Sequence, residues 1–284
     1  MSKALRELID LLDLEVIEQG IFRGQSQELH LPQLFGGQVL GQTIQAASLT
    51  VSPDKAVHSV HGYFIRPGRA CRPVLYEVRD LHDGRSFSTR QISASQDGKV
   101  IFTGAASFHI AEDGRSHQPR MEGVPEPEVL GLETDLLKGC ESLASQVRLR
   151  AAAAEAIEIR PVDAIDPSSP TPQPPVKRFW FKAAGDVPDD PALHRSLLGY
   201  ASDIGLLITS LLPHGVSDLQ PDMQVASLDH GLWIHAPFRM DSWLLYSMES
   251  PWSGGARGLS RGQIFDRSGR LVASVAQEGL IRPR

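Results

Sequence analysis

The stretch Gln224–Trp233, QVASLDHGLW, carries three chemically active side chains within a largely apolar run. They are the hydroxyl of Ser227, the carboxylate of Asp229 and the imidazole of His230. The apolar positions around them are Val225, Ala226, Leu228, Leu232, Trp233 and Ile234. Because successive side chains of a strand face opposite ways, this pattern predicts a strand in the middle of a covered sheet. Polar groups there need hydrogen-bond partners, and for Ser227 alone the simplest partner is neighbouring backbone.

The composition is that of a globular protein, with 284 residues of which 41% are hydrophobic and 22% are charged. The formal net charge is −6, so no overall positive field attracts nucleic acid or anionic lipid. A polyanionic ligand would therefore need a local cluster of basic residues. The two cysteines, Cys71 and Cys140, lie in no CxxC or Cys/His ligand spacing, which argues against a disulfide framework and structural zinc.

The N-terminal segment Met1–Leu14 has charged residues inside its apolar run, so it predicts an amphipathic helix rather than a signal peptide. No apolar run in the sequence is long enough to span a bilayer. From these features we expect a cytoplasmic protein that neither inserts into membranes nor binds nucleic acid. The sequence shows no metal-ligand pattern, and we expect no metal and no cofactor.

Helix and strand signals alternate in a way that is typical of an α+β protein. Leu34–Thr50 repeats its apolar residues at helical spacing, and strand-like runs follow from Val57 onward. A second helix is predicted at His194–Pro213, again followed by strand-like runs. Other strands are predicted at Val16–Gly24, Val225–His235, Ser242–Met248, Gly258–Phe265 and Arg270–Leu280. We expect each long helix to be wrapped by an antiparallel sheet.

The second half of the chain repeats the first. VHSVHGYFI in the first half resembles VASLDHGLWI in the second, with one inserted residue. The offset between matched residues is nearly constant. It is 231 − 62 = 169 for the two glycines of these motifs, 245 − 75 = 170 for the leucines that begin LYE and LYS, and 269 − 98 = 171 for the glycines of DGK and SGR. We therefore predict two tandem units whose sheets join edge to edge, so that neither leaves a long bare edge.

The two copies differ in the polar residues that they carry at matched positions. Gln277 falls where the first copy has Ala106. Asp203 lies on the second predicted helix, in a region where the first helix offers only amides and a hydroxyl. Those first-helix residues are Gln42, Thr43 and Gln45. An acid, an amide and a hydroxyl are thus brought together in the second half.

The first half carries the motifs GIFRGQS, FGGQVLGQ, VHSVHGYFIRPG and DGRSFSTRQ, and the second half carries LLGYASD, ASLDHGLWIHAPF, WLLYSMES, ARG and ASVAQEG. These motifs resemble those of the acyl-CoA thioesterase II family, whose fold is a double hotdog. The matches run in order over nearly the whole chain, so the resemblance is specific. It implies an N-terminal hotdog at 1–115, a connector at 116–154 and a C-terminal hotdog at 155–284 that carries the catalytic set.

The resemblance implies hydrolysis of fatty acyl-CoA to free fatty acid and CoA by a water that Asp203, Ser227 and Gln277 hold. A thiol has a pKa of about 8.5, so the leaving group needs no strong general acid. Asp203 would accept a proton of the water or fix its orientation, while the hydroxyl and the amide fix its remaining hydrogen bonds. Asp229 and His230 also match the family. We expect them to support the catalytic residues or to tie the strand to its neighbours.

The phosphates of CoA need clustered basic groups in this acidic chain. Predicted CoA-binding residues are Gly36 and Gly37, whose backbone N–H groups open a helix, and Arg257 with Gly258. Further basic alternatives are Arg66, Arg69 and Arg261. For each arginine a solvated surface position is the alternative interpretation, and for the glycine pair it is a tight turn.

Two other functions stay open at this stage. A hotdog enoyl-CoA hydratase shares the fold, but it uses an acid–histidine pair on the central helix, which this sequence lacks. A non-catalytic acyl-CoA sensor needs a recognition module, and the short N-terminus leaves no room for one. A serine hydrolase is disfavoured because no GxSxG motif occurs. We also expect a homo-oligomer, a dimer or a tetramer, because related proteins associate.

Overall fold

Two buried helices cross beneath one large sheet. The computed structural model describes residues 1–27, 33–137, 155–166 and 169–284. Its α-helices are α1 (Lys3–Leu12), α2 (Gly36–Ser48), α3 (Glu133–Leu137) and α4 (Pro191–Ser202), and 3-10 helices lie at Pro127–Val129 and Leu207–His214. The strands are β1 (Glu15–Glu18), β2 (Ile21–Gly24), β3 (Lys55–Phe64), β4 (Val74–Asp83), β5 (Phe87–Gln96), β6 (Lys99–Ile110), β7 (Ile157–Pro161), β8 (Val176–Ala183), β9 (Met223–Ser227), β10 (Asp229–Ile234), β11 (Leu244–Gly254), β12 (Arg257–Asp266) and β13 (Leu271–Pro283).

The thirteen strands found in the described residues form one sheet in which every pair is antiparallel. The order along it is β1-β2-β4-β5-β6-β3-β10-β13-β12-β11-β8-β7, and β9 lies beside β13. At its centre Ser59–Tyr63 of β3 pairs with Asp229–Trp233 of β10. The order β4-β5-β6-β3 on one side of this boundary is mirrored by β10-β13-β12-β11 on the other. The α+β class is confirmed.

α2 and α4 cross at glycines that let their backbones approach closely. A Cβ on Gly41 would lie 2.9 Å from the carbonyl oxygen of Ser196, and one on Gly199 would lie 2.5 Å from Ile44 Cδ1. α1 packs against both helices through the buried side chains of Leu5, Leu8, Leu11 and Leu12. The main core lies between these helices and the inner face of the sheet. The crossing brings the end of α4 beside the start of α2.

The stretch Gln224–Trp233 is two strands rather than one, because the chain breaks at Leu228 between β9 and β10. β10 lies between β3 and β13, in the middle of the sheet, as the pattern predicts. Among the described strands β9 pairs only with β13, and Ala226 is exposed, so the prediction of two covered faces is wrong for this part. At the break the carboxylate of Asp229 accepts a hydrogen bond from the backbone N–H of Glu278. This bond replaces a backbone hydrogen bond between the two strands.

Two other predicted elements are interrupted at glycines with positive φ. The strand predicted at Val16–Gly24 is a hairpin of β1 and β2 that turns at Gly20 (φ 76°). The single helix predicted at His194–Pro213 is α4 followed, after Gly205 (φ 76°), by a 3-10 helix. Glycine adopts positive φ without the steric cost that other residues meet. The chain therefore turns at the points where the sequence supplies glycine.

The expectation that no apolar run is long enough to span a bilayer is wrong by length and composition alone, because one helical stretch of the described chain, Pro191–His214, passes that test. Inside the protein, however, 72% of its most apolar window is buried. Its side chains therefore already have protein partners, which is the usual situation of a core helix in a folded domain.

The connector after β6 crosses the outer face of the second half of the sheet. Trp180 Nε1 donates to the carbonyl of Pro125 at 2.9 Å, and Gln118 Nε2 donates to the carbonyl of Gly269 at 2.7 Å. Apolar connector residues pack against the cluster of Trp180, Leu245 and Phe265; these are Met121, Val124 and Leu130. Residues 138–154 of the connector lie outside the described residues. The outer face of the second half is thus partly covered by this segment.

Candidate functional site

Asp203 is the C-cap of α4, where the helix gives way to the turn before Gly205. The helix crossing places its carboxylate against the N-terminus of α2, and the backbone N–H of Gly37 hydrogen-bonds to it. A Cβ on Gly36 would lie 2.7 Å from Asp203 Oδ2, so glycine leaves the room that the carboxylate needs. A helix N-terminus favours negative charge. The carboxylate of the second half is therefore held by a helix of the first.

Gln277 links this carboxylate to a hydroxyl. Its Nε2 donates to Asp203 Oδ1 at 2.7 Å and to Ser227 Oγ at 2.9 Å. Ser227 of β9 stands opposite Gly279 of β13, two residues from the amide, so hydroxyl and amide share the face of the sheet that looks toward the helices. The three side chains that the sequence singles out, distant along the chain, therefore meet. Their catalytic role stays a prediction.

The cluster of Asp203, Ser227 and Gln277 keeps unused hydrogen-bonding capacity. Gln277 Oε1 is buried and has no partner in the described part of the chain. The Ser227 hydroxyl accepts from the amide and retains its own hydrogen for donation. A buried acceptor left unpaired costs about 1–3 kcal/mol, so such an atom indicates a place where a ligand or water binds. A free acceptor, a free donor and a carboxylate together match the bonds that one water molecule makes.

Burial raises the pKa of Asp203 above its ordinary value of 3.8. The hydrogen bonds from Gln277 and from the N–H of Gly37 lower the pKa but do not cancel the effect of burial. Burial, and then the charge of Asp203, raise the pKa values of Tyr200 and Tyr246, so both stay neutral phenols. A carboxylate whose pKa is raised toward neutrality is a better base than an exposed one.

His230 lies beside Asp203 but forms no ion pair with it. Its Nδ1 is 3.8 Å from Asp203 Oδ1, yet burial and then the charge of His61 lower its pKa to about 3, so the imidazole is neutral. Nε2 lies 3.0 Å from Ser202 Oγ, and that hydroxyl donates to the carbonyl of Gly199 at 2.9 Å. Because the hydroxyl hydrogen is used, Nε2 carries a hydrogen and donates to Ser202. Nδ1 is then a buried acceptor without a partner in the described residues.

We expect the His230→Phe variant to lose less stability in acid than the wild type. The unfolded chain protonates this histidine near pH 6.5, whereas the folded protein does so only near pH 3. Its contribution to stability is therefore complete above pH 6.5 and is lost as the pH falls below that value. Between pH 6.5 and pH 5 the loss relative to the variant is about 2 kcal/mol. Urea unfolding of both proteins at pH 7 and pH 5 measures it, and an equal difference at both values would contradict the expectation.

Asp229 supports the site through the backbone. Its carboxylate accepts the N–H of Glu278 at 2.6 Å, and the N–H of Leu228 donates to the carbonyl of Glu278 at 2.9 Å. Glu278 directly follows Gln277, so these two bonds fix the part of β13 that carries the amide. This contact fits the second of the two roles expected for Asp229, that of tying its strand to a neighbour, and the role stays a prediction.

The glycines predicted to bind CoA have close protein neighbours. Gly36 and Gly37 lie at the carboxylate of Asp203, and the N–H of Gly37 is already used by it. Gly258 is buried under the 3-10 helix, where a Cβ would lie closer than 3.0 Å to Ser210 Oγ. These close contacts give the three glycines packing roles, and their predicted binding of CoA gains no support from them.

Arg257 lies on the other face of the sheet. Ser260 is the partner of Gln277 across β12 and β13, and Arg257 stands three residues away along β12 with no bulge between them. An odd spacing along a strand places side chains on opposite faces. The guanidinium is 3.5 Å from Glu278 Oε1 and lies over the ring of Trp252 at 5.7 Å. The structure therefore does not bring Arg257 to the cluster of acid, hydroxyl and amide.

Several residues around the cluster were not singled out from the sequence. Tyr246 Oη donates to the carbonyl of Ser202 at 2.8 Å, and the ring of Phe64 lies 3.1 Å from the place that a Cβ of Gly36 would occupy. A signal existed for two of them, because Ser202 precedes Asp203 in the LLGYASD motif and Tyr246 belongs to WLLYSMES. Phe64 likewise belongs to a quoted motif, VHSVHGYFIRPG, but that motif gave no indication that its ring reaches the site.

Comparison with known proteins shows what the chain is similar to. A family model described as acyl-CoA thioesterase matches residues 171–280, and one described as acyl-CoA thioesterase N-terminal domain matches residues 29–109. Acyl-CoA thioesterase 2 of Haemophilus influenzae is 40% identical over 283 residues, which is 99% of this chain and 99% of that protein.

Solved structures give the same similarity. The acyl-CoA thioesterase II TesB2 from Mycobacterium marinum is 39% identical with a TM-score of 0.81, and the match covers 98% of each chain. A conserved protein of unknown function with a hot dog fold, from Alicyclobacillus acidocaldarius, is 18% identical with a TM-score of 0.75, again over 98% of each chain. At that identity the likeness concerns the fold alone, and the fold is a hotdog.

Proposed function

Because the chain belongs to the acyl-CoA thioesterase II family and is a thioester hydrolase, we propose that Asp203, Ser227 and Gln277 hold the water that attacks its fatty acyl-CoA substrate. The observation that carries the proposal is the amide of Gln277, which bridges the acid and the hydroxyl through Nε2 while Oε1 stays unpaired. A glutamine that only stabilised the fold would not need an unsatisfied oxygen at the centre of a polar cluster.

In the proposed reaction the water attacks the carbonyl carbon of the thioester while Asp203 takes one of its protons. The hydroxyl of Ser227 donates to the water oxygen, and Gln277 Oε1 accepts the second hydrogen of the water. The tetrahedral oxyanion then collapses, the C–S bond breaks, and the CoA thiolate leaves and takes the proton back from Asp203. A thiol with a pKa of about 8.5 leaves readily, so no separate general acid is needed. The products are a fatty acid and CoA.

His230 has a supporting role in this proposal. Its Nδ1 is an acceptor 3.8 Å from Asp203 Oδ1, so a small movement would let a proton held on that oxygen make a hydrogen bond to it. The neutral imidazole also lets the carboxylate take up a proton, which a neighbouring positive charge would oppose. In the His230→Phe variant we propose a lower kcat and a nearly unchanged KM for acyl-CoA.

The proposal predicts that Gln277→Leu lowers kcat for palmitoyl-CoA by about 10²–10³-fold, the usual effect of losing one positioned polar group in an active site. Release of free CoA, followed with a thiol reagent, measures this for acyl chains from C4 to C18. Gln263→Leu is the matched control, because Gln263 is exposed on β12. Its rate should stay within about twofold of the wild type.

Two results would contradict the proposal. A Gln277→Leu rate near that of the wild type, with an unchanged circular dichroism spectrum, would show that the amide does not act on the reaction. An absorbance change with crotonyl-CoA in place of thiol release from palmitoyl-CoA would instead favour the hydratase. The hydratase needs a histidine that exchanges protons near neutrality, and His230 with its pKa of about 3 does not fit.

We also propose that the chain is a double hotdog formed by duplication, with units at 1–115 and 155–284 joined by the connector at 116–154. The mirrored strand order on the two sides of the β3–β10 pair supports this, as does the nearly constant offset between matched residues. The association into a dimer or tetramer and the cytoplasmic location likewise stay proposals. Sedimentation of the purified protein would test the first, and fractionation of cells that express it would test the second.

A further inference from the structure

We propose that the loop Ile65–Pro73 (IRPGRACRP), here called the arginine loop, binds the phosphate groups at the nucleotide end of the acyl-CoA substrate. The inference rests on the proposed function and adds the site for the leaving group. It follows from the charge of this loop, its position relative to Asp203 and the way the rest of the first half holds it.

The arginine loop is strongly basic in an acidic protein. It contains Arg66, Arg69 and Arg72, all exposed, and no acidic residue, while the whole chain carries a net charge of −6. Arg69 is 3.8 Å from Asp97 Oδ2, and Arg66 Nη1 donates to the carbonyl of Val100 at 2.8 Å. Within the described residues, the charges of Arg66 and Arg72 have no carboxylate partner.

Several other arginines of the described chain are, by contrast, paired with two carboxylates each. Arg178 contacts Asp163 and Glu122, Arg239 contacts Asp189 and Asp241, and Arg267 contacts Glu126 and Glu128. A guanidinium that already has two carboxylates gains little from a phosphate, because it must first lose those partners. The arginine loop therefore offers charge that a polyanion can use.

The arginine loop is connected to the catalytic cluster by a short extended segment. The N–H of Leu34 donates to the carbonyl of Gly68 at 2.9 Å, and Gln33 forms a β-bridge with Arg69. From there the chain runs to Gly36, which lies against Asp203. Three extended residues span at most about 10 Å, so the bridge between Gln33 and Arg69 lies within about that distance of Gly36. CoA carries its phosphates at the far end of the pantetheine arm, so their site must lie away from the reacting carbonyl.

The arginine loop is also preorganised. The side chain of Gln96, which is 7% exposed, accepts the N–H of Arg69 at 2.7 Å and donates to the carbonyls of Arg69 and Arg72 at 3.0 and 2.8 Å. Ser26 Oγ donates to the same Arg72 carbonyl, and Ala70 is buried. A backbone fixed in this way spares the ligand the cost of ordering the loop. Each guanidinium then presents planar N–H groups that suit phosphate oxygens.

The test compares two thioesters with the same acyl chain, one of CoA and one of pantetheine, which lacks the nucleotide phosphates. In the triple variant R66Q/R69Q/R72Q we expect KM for acyl-CoA to rise at least tenfold, while kcat and the kinetics with acyl-pantetheine stay within about twofold. The salt dependence of KM for acyl-CoA should flatten in the same variant. Arg79→Gln is the matched control, because Arg79 is exposed and paired with Glu77, and it should behave as the wild type.

A second variant separates charge from position. Gln96→Leu keeps all three arginines but removes the bonds that hold the loop, so it should raise KM for acyl-CoA several-fold and leave acyl-pantetheine unaffected. Calorimetric titration of CoA into the wild type and the triple variant needs no turnover. Equal affinity in that titration, or equal losses with both thioesters, overturns the arginine loop as the phosphate site. Absence of thiol release from acyl-CoA by the wild type overturns the proposed function instead.

Discussion

Replacement of Asp203 by asparagine is expected to lower kcat for acyl-CoA by about 10³-fold, because the amide keeps the volume of the side chain but cannot take a proton from water. Steady-state release of CoA from palmitoyl-CoA measures the loss. Asp186→Asn is the matched control: Asp186 is exposed and forms no bond in the described part of the chain, so its variant should retain the wild-type rate. Activity of Asp203→Asn near the wild-type level, with an intact fold, would remove the acid from the mechanism.

The Asp203→Asn variant should also be more stable than the wild type at alkaline pH. Burial raises the pKa of Asp203 in the folded protein, so the benefit of its protonated form is complete below pH 3.8 and is lost as the pH rises through the raised value. Each unit of that shift corresponds to about 1.4 kcal/mol at high pH, a cost that asparagine does not have. Urea unfolding at pH 5 and pH 8 should show the advantage of the variant growing with pH. When kcat/KM of the wild type is measured against pH, its fall on the acidic side should likewise have an apparent pKa above 3.8.

Gly37→Ala is expected to reduce both stability and activity, although glycine carries no functional group. A Cβ there would lie closer than 3.0 Å to the carbonyl oxygen of Tyr200 and to the ring of Phe35, so the start of α2 must move away from the end of α4. Such overpacking typically costs about 1–3 kcal/mol. The movement also withdraws the N–H that holds Asp203, and a displacement of about 1 Å in an active site costs about 10²-fold in rate.

Gly123→Ala is the control for this variant. Gly123 lies on the connector, where a Cβ meets nothing within 4 Å, so its stability and kcat should change little. Urea unfolding and thiol release, measured on both variants, distinguish a local effect of the helix crossing from a general effect of adding a methyl group. Wild-type stability and rate in Gly37→Ala would show that the helix N-terminus does not position the carboxylate.

The acid and the amide could be predicted from the sequence because the two copies differ at those positions, and all three residues because their motifs match a family. Gly37 as the partner of Asp203 could not be predicted, since it depends on how a helix of one half crosses a helix of the other. The turn at Gly205 was not predicted, because the apolar pattern continues through it to Pro213 and a single glycine inside such a pattern does not by itself end a helix. The break at Leu228 carries no glycine or proline, and it depends on a bond between Asp229 and the backbone of a distant strand.

The prediction of CoA-binding residues shows a further limit of the sequence. Alternation along β12 puts Arg257 and Ser260 on opposite faces, but which of them faces the helices depends on the register with Gln277 in β13. That register is a property of the assembled sheet. The packing of Gly258 against Ser210 could not be predicted from the sequence either, because the 3-10 helix that carries Ser210 follows a turn rather than continuing α4.

The pairing of β3 with β10 affects the protein while it is still being made on the ribosome. β3 ends at Phe64 and β10 begins at Asp229, so 229 − 64 = 165 residues are synthesised before the partner emerges. At about 5–20 residues per second this takes about 10–30 s. Once β6 has paired with it, β3 is a free edge on its other side until β10 emerges, and a free edge readily pairs with strands of other chains. The nascent first half therefore exposes a strand edge that the finished protein covers.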